Sequence, residues 1–244
     1  MRIIKKTGNG VYYDHVIQFI FRAVVFIVAV YLYFTQRHLL EALVNEPFFN
    51  DFGYKQILWA IFMAGMISHL LPLKKLTMGL RKSRAETYTV PNEIFTLESL
   101  YTYVQDMNIK AWKVMLVWLC FNAIFAALYL ANIIGVSDMI LLSFFYYLSD
   151  LICVLIFCPF QTFIMKNSCC VNCRIFDWGY FMIFTPLLFI KSFYSWSLFF
   201  TSCVVLIRWE FVYANHPERF WKGSNASIRC QNCNDKMCQI KEPL

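Results

Sequence analysis

The stretch that decides the fold is residues 175–213, IFDWGYFMIFTPLLFIKSFYSWSLFFTSCVVLIRWEFVY, which is apolar apart from four charged side chains. As one helix its 39 residues would extend roughly 58 Å at about 1.5 Å per residue, about twice the thickness of a bilayer's hydrocarbon core. Lys191 and the serines after it favour a turn. The sequence therefore predicts two membrane spans here, 177–190 and 194–213, with Pro186 kinking the first.

The rest of the chain has the same character. Of its 244 residues 59% are hydrophobic and 15% are charged, whereas a soluble domain carries about 25% charged residues. Apolar runs of membrane-spanning length occupy residues 16–34, 56–73, 111–132 and 139–165. We therefore predict an all-α, polytopic integral membrane protein with about six transmembrane helices in residues 1–213. A polar tail, 214–244, follows them.

Positive charge fixes the predicted orientation. With six spans and both termini cytoplasmic, the inner segments hold sixteen Lys and Arg residues and the outer loops hold three. This is the bias expected of cytoplasmic loops. The net charge of +7 is then explained by this bias, and anionic lipids at the cytoplasmic face are its expected partner; no nucleic-acid-binding module is present. A protein partner at this basic face is also expected.

Two cysteine triplets flank the last predicted hairpin, in CCVNC at 169–173 and in CQNCNDKMC at 230–238. Paired CxxC motifs have the spacing of a four-thiolate metal site, and the cytoplasm is too reducing for structural disulfides. The tail is too short to form its own core, so a metal would dock it on loop 166–176. We call this expected cytoplasmic assembly the metal knot. Its candidate ligands are Cys169, Cys170, Cys173, Cys230, Cys233 and Cys238.

The identity of the metal stays open at this point. A structural zinc ion is favoured, because paired CxxC motifs most often bind zinc. An iron–sulfur cluster is the alternative, although the closely spaced ferredoxin run of cysteines is absent. A dithiol redox site, or six cysteines that do not cooperate, would also fit the spacing.

Several other polar residues are candidates. His15, His69 and His216 are expected near the cytoplasmic ends of spans, where they could bind haem or a quinone or be ordinary interfacial residues. Asp150 lies inside the fourth predicted span, where a carboxylate either binds a proton or cation or bonds to a neighbouring helix. Asp177 could orient the cysteine loop. Arg22, near the start of the first span, is expected to reach the headgroups.

These observations support three function hypotheses. The first is a non-enzymatic membrane scaffold or partner-binding protein stabilised by a thiolate zinc site. The second is a membrane redox component that passes electrons from an iron–sulfur centre to a quinone or haem. The third is a small transporter that uses Asp150. The sequence contains no recognisable catalytic constellation, so enzymatic activity stays undecided.

Overall fold

The computed structural model describes residues 9–49, 53–71, 78–91, 95–167, 169 and 172–232, without the side chains of 9–14, 78 and 230. These residues are helical or irregular, and none of them forms a β-strand. The helices are α1 (Asn9–Thr35), α2 (Arg37–Asn45), α3 (Tyr54–Leu70), α4 (Met78–Arg81), α5 (Leu97–Leu130), α6 (Val136–Leu155), α7 (Gly179–Phe184) and α8 (Phe193–Asn215).

Four segments in the described part of the chain are long and apolar enough to cross a membrane. They are His15–Thr35 of α1, Leu97–Leu130, Val136–Leu155 and Phe193–Asn215. Many of their large apolar side chains are exposed, such as Phe34, Leu130 and Phe211, which suits a lipid environment. The fold is thus all-helical with four candidate spans, consistent with an integral membrane protein.

The other two predicted spans do not form α-helices of this length. Of the predicted span 56–73, residues 56–70 lie in α3, which has 17 residues, and 72–73 lie outside the described residues. Residues 177–190 consist of α7 between two short 3₁₀ turns, and Pro186 lies at the start of the second. Proline lacks the N–H that would continue an α-helix, which explains the change of helix type. The count of six is therefore not established by regular α-helices alone.

Two helix boundaries also differ from the predictions. The span predicted at 139–165 ends as an α-helix at Leu155, and a π-helical turn, Phe160–Met165, follows Pro159. The span predicted at 111–132 begins earlier, because α5 starts at Leu97. Residues 97–130 contain neither glycine nor proline, so nothing in the sequence interrupts the helix.

Helix directions follow from the contacts between elements. α1 runs antiparallel to α6, since Arg22 bonds to Asp150 and Tyr33 bonds to Asp138. α3 runs parallel to α8, because Trp59 donates to Ser197 and Arg208 donates to the carbonyl of His69.

Segment 175–190 runs antiparallel to α8. Trp178 donates to Glu210 at one end of the pair, and Trp196 donates to the carbonyl of Leu188 at the other. The chain therefore turns back between residues 190 and 193, where the Ser192 hydroxyl accepts a hydrogen bond from the N–H of Ser195 and caps α8.

Candidate functional site

Lys82 is the point where the cysteine loop and the tail meet. Only 1% of its surface is exposed. Its ammonium donates to the carbonyl of Cys173 at 2.7 Å, and it lies 5.6 Å from the ring centroid of Phe220 in the tail. The rings of Trp209 and Phe176 are 5.3 and 5.7 Å away, so three aromatic rings surround the cation.

Burial changes the acidity of this lysine. Loss of hydration lowers the pKa of Lys82 to about 7, and the nearby positive charge of Arg174 acts in the same direction. The thiols of Cys173 and Cys169 act in the opposite direction and favour the ammonium form. The ammonium of Lys82 would therefore stabilise negative charge near Cys169 and Cys173. That negative charge would in turn keep Lys82 protonated.

The described part of the tail docks on the segment that carries Lys82. The backbone N–H of Ala226 donates to the carbonyl of Thr89 at 2.8 Å, and the Asn225 side chain accepts from the N–H of Thr89 at 3.3 Å. Asn225 is fully buried. The ring of Trp221 stacks on that of Tyr103 in α5, with centroids 5.4 Å apart. Residues 221–226 of the tail thus dock on 78–91 and on α5.

The predicted metal ligands are only partly within the described residues. Cys173 is buried and Cys169 is half-buried. The side chain of Cys230 and all of Cys170, Cys233 and Cys238 lie outside them. Among the described side chains, no group of three or more His, Cys, Asp or Glu residues is placed to bind a metal ion. The six-cysteine knot, its metal and its docking on loop 166–176 stay predictions.

An ion pair fixes the cysteine loop to α8. Both terminal nitrogens of Arg174 donate to the carboxylate of Glu210, one at 2.7 Å, and the indole of Trp178 donates to the same carboxylate at 2.7 Å. The indole of Trp209 donates to the carbonyl of Arg174, and the guanidinium lies 3.6 Å from the ring centroid of Tyr213. No role was predicted from the sequence for Glu210, the acidic residue of α8.

The histidines do not share one role. Nδ1 of His69 lies 2.6 Å from Oδ1 of Asp177, as when an imidazole N–H donates to a carboxylate. Asp177, predicted to orient the cysteine loop, therefore links that loop to α3. Nδ1 of His216 lies 3.3 Å from Glu218 in the tail. His15 is buried near the start of α1. Haem or quinone binding by these histidines stays untested.

Asp150 is paired with Arg22 of α1 at 2.7 Å. The Arg22 guanidinium also donates to the carbonyl of Tyr147 and lies over its ring, so Arg22 turns inward and does not extend toward headgroups. Gly179 allows the close approach of segment 175–190, because a Cβ there would lie 2.5 Å from Oδ1 of Asp150. Tyr146, one turn before Asp150 on α6, donates to the side-chain oxygen of Asn122.

No family model matches the sequence, and neither a curated protein nor a solved structure is similar to it. The function is therefore argued from the geometry. Two regions are candidate functional sites. One is the end of the molecule around Lys82, and the other is a cavity beside Asp150.

Proposed function

We propose that the chain is a membrane scaffold or partner-binding protein whose cytoplasmic end is held together by a thiolate zinc site. In this proposal α3 and segment 175–190 cross the bilayer beside the four apolar helices. That gives six crossings with both termini cytoplasmic. The parallel pairing of α3 with α8, and the antiparallel pairing of 175–190 with α8, support it, since both match the directions that six crossings require.

The observation that carries the proposal is the position of Lys82. Its ammonium contacts the carbonyl of Cys173 and the ring of Phe220, so the first cysteine triplet and the start of the tail meet at one cation. The second triplet begins ten residues after Phe220. A zinc ion with four thiolates carries net negative charge, and a buried ammonium beside it would compensate part of that charge.

Metal binding would have a clear energetic role. Residues 216–232 contain three short 3₁₀ turns and dock through a few hydrogen bonds and the rings of Phe220 and Trp221, which is little for a polar segment. Thiolate–zinc bonds between this segment and the loop before α7 would add folding energy. The zinc-bound cytoplasmic end would then present the surrounding Lys and Arg residues to anionic headgroups and to a protein partner.

Metal analysis of the purified full-length protein tests the proposal. We expect a colourless protein with stoichiometric zinc, which is lost in Cys170→Ser and in Cys233→Ser. Cys203→Ser, in the membrane part of α8, is the matched control and should keep its zinc. Chelation should expose residues 216–232 to protease. A brown protein that contains iron and acid-labile sulfide would instead support the redox alternative.

Zinc-free protein, prepared under reducing conditions and still as resistant to protease as before, would refute the structural zinc site. Binding to anionic lipid is tested separately, by flotation of the zinc-loaded protein with vesicles that contain or lack anionic lipid.

A further inference from the structure

A cavity of about 610 Å³ lies between α5, α6, the π-helical turn and segment 173–183. This volume is within the range of ligand-binding cavities, about 300–1,000 Å³. Its walls come from residues 117–121, 145–154 and 157–161 and from the cysteine loop and α7. Most of the lining side chains are aromatic or aliphatic. An apolar cavity of this kind does not hold ordered water, so its occupant must be apolar over most of its length.

The cavity opens toward lipid. Val117 and Phe121 of α5 and Phe145 of α6 line it and are 50%, 45% and 48% exposed. Both helices are among the segments apolar enough to cross a membrane. The mouth therefore lies between two candidate spans, at the depth where the surrounding solvent is hydrocarbon. A molecule that enters there comes from the bilayer.

The part of the wall formed by α6 carries a polar patch. Ser149 and Asp150 both line the cavity, and 30% of the Asp150 side chain remains exposed. Oδ2 of this carboxylate accepts from Arg22, and Oδ1 lies against Gly179, which also lines the cavity. Because Arg22 already balances the charge, a second cation is not needed. The carboxylate keeps lone pairs for a neutral hydrogen-bond donor.

We propose that this cavity binds one membrane amphiphile, with its hydrocarbon chain among the aromatic side chains and a neutral hydroxyl head that donates to Asp150. The ligand class is a long-chain alcohol or a lipid with a single uncharged hydroxyl head. The chain is held by the apolar walls, and the hydroxyl satisfies a carboxylate that the low-dielectric surroundings would otherwise leave under-bonded. The site does not use the thiolates for binding, although Cys173, a candidate zinc ligand, lies in its wall.

Photolabelling of the full-length protein in phosphatidylcholine nanodiscs tests this proposal. The probe is a long-chain alcohol with a diazirine on its chain. We expect labelled peptides from 117–121 and 145–161, and competition by the unlabelled alcohol but not by its methyl ether, which cannot donate a hydrogen bond. Equal competition by the ether, or labelling only elsewhere on the chain, would overturn the proposal.

Cavity-filling variants give a second test. Ser149→Trp and Val154→Trp place an indole inside the cavity and should lose the labelled peptides, while Val204→Trp, on the outward face of α8, should keep them. Val204 is 52% exposed and does not line the cavity. Labelling that persists in a folded cavity-filling variant contradicts binding at this site, and the competition between alcohol and ether in the unaltered protein does not depend on how the variants fold.

Discussion

The ion pair between Arg22 and Asp150 should be one of the strongest single contacts between α1 and α6. At an effective dielectric constant of about 20, unit charges 2.7 Å apart attract by about 6 kcal/mol, and desolvation offsets much of this. Arg22 is 13% exposed. Replacing Asp150 by leucine would leave the guanidinium with the carbonyl and the ring of Tyr147. Loss of one partner from a buried pair costs about 3–5 kcal/mol.

The value expected here is about 3 kcal/mol, at the lower end, because the Asp150 side chain is 30% exposed. Arg22→Met should cost less than Asp150→Leu, since a carboxylate without its partner can become neutral by protonation. The double variant removes both charges. We therefore expect its loss of unfolding free energy to be smaller than the sum of the two single losses by about 1–3 kcal/mol.

The assay is reversible unfolding in mixed micelles with increasing dodecyl sulfate, followed by tryptophan fluorescence. The matched control is the pair of Lys110 and Asp106 in α5, 2.6 Å apart, whose aspartate is 53% exposed. Exposure to water reduces such a pair to about 0.3–0.5 kcal/mol of coupling. If the Arg22 and Asp150 substitutions are additive, or couple no more strongly than the control pair, the ion pair does not join α1 to α6 as argued.

Further predictions concern Lys82 and two glycines. Lys82→Met should weaken zinc binding about tenfold or more, measured by competition with a coloured chelator, while the metal-free protein stays folded, since replacing a buried charge by an apolar side chain is often neutral. Because the pKa of Lys82 is lowered from 10.5 to about 7, the unfolded state binds more protons across that window. The unfolding free energy of the metal-free protein should therefore rise with pH from 7 to 10.5, and rise less in Lys82→Met. Gly65→Ala should cost about 1–3 kcal/mol, because its Cβ would lie 2.6 Å from the hydroxyl of Tyr180, whereas Gly53→Ala, with its nearest atom at 3.9 Å, should cost little.

The sequence predicts the elements whose apolar pattern is continuous. Residues 16–34, 111–132 and 194–213 were expected to be spans, and they fall almost entirely within α1, α5 and α8. Boundaries were less accurate where polar residues continue a helix, as at the start of α5. The predicted end of the fourth span, at residue 165, was also wrong, because α6 ends at Leu155 and a π-helical turn follows Pro159. The short helix α2 was missed, because its buried face is only Leu40, Leu43 and Val44.

The contacts between helices could not be predicted in the same way. Hydropathy indicates which residues are in a span, but it does not give the rotation of one helix against another. The sequence therefore predicted that Arg22 reaches the lipid headgroups, and it gave no partner residue for Asp150. A search for opposite charges in different spans would have suggested their pairing, and the same search extended to the loops at the span ends would have suggested that of Arg174 with Glu210. The position of Lys82 has no comparable signal, since a lysine in a basic loop usually lies in water.

The turn near Lys191 nevertheless brings the cysteine loop and the tail to the same end of the molecule. If residues 175–213 formed one straight helix, Cys173 and Phe220 would lie beyond its opposite ends, separated by roughly 58 Å of helix. Both of them contact the same ammonium of Lys82. That is compatible only with a chain that reverses direction between them, and the reversal occurs where the N-cap of α8 begins at Ser192. Any site built from the two cysteine triplets, whatever its metal, depends on this hairpin, because without it the triplets would lie at opposite ends of the molecule.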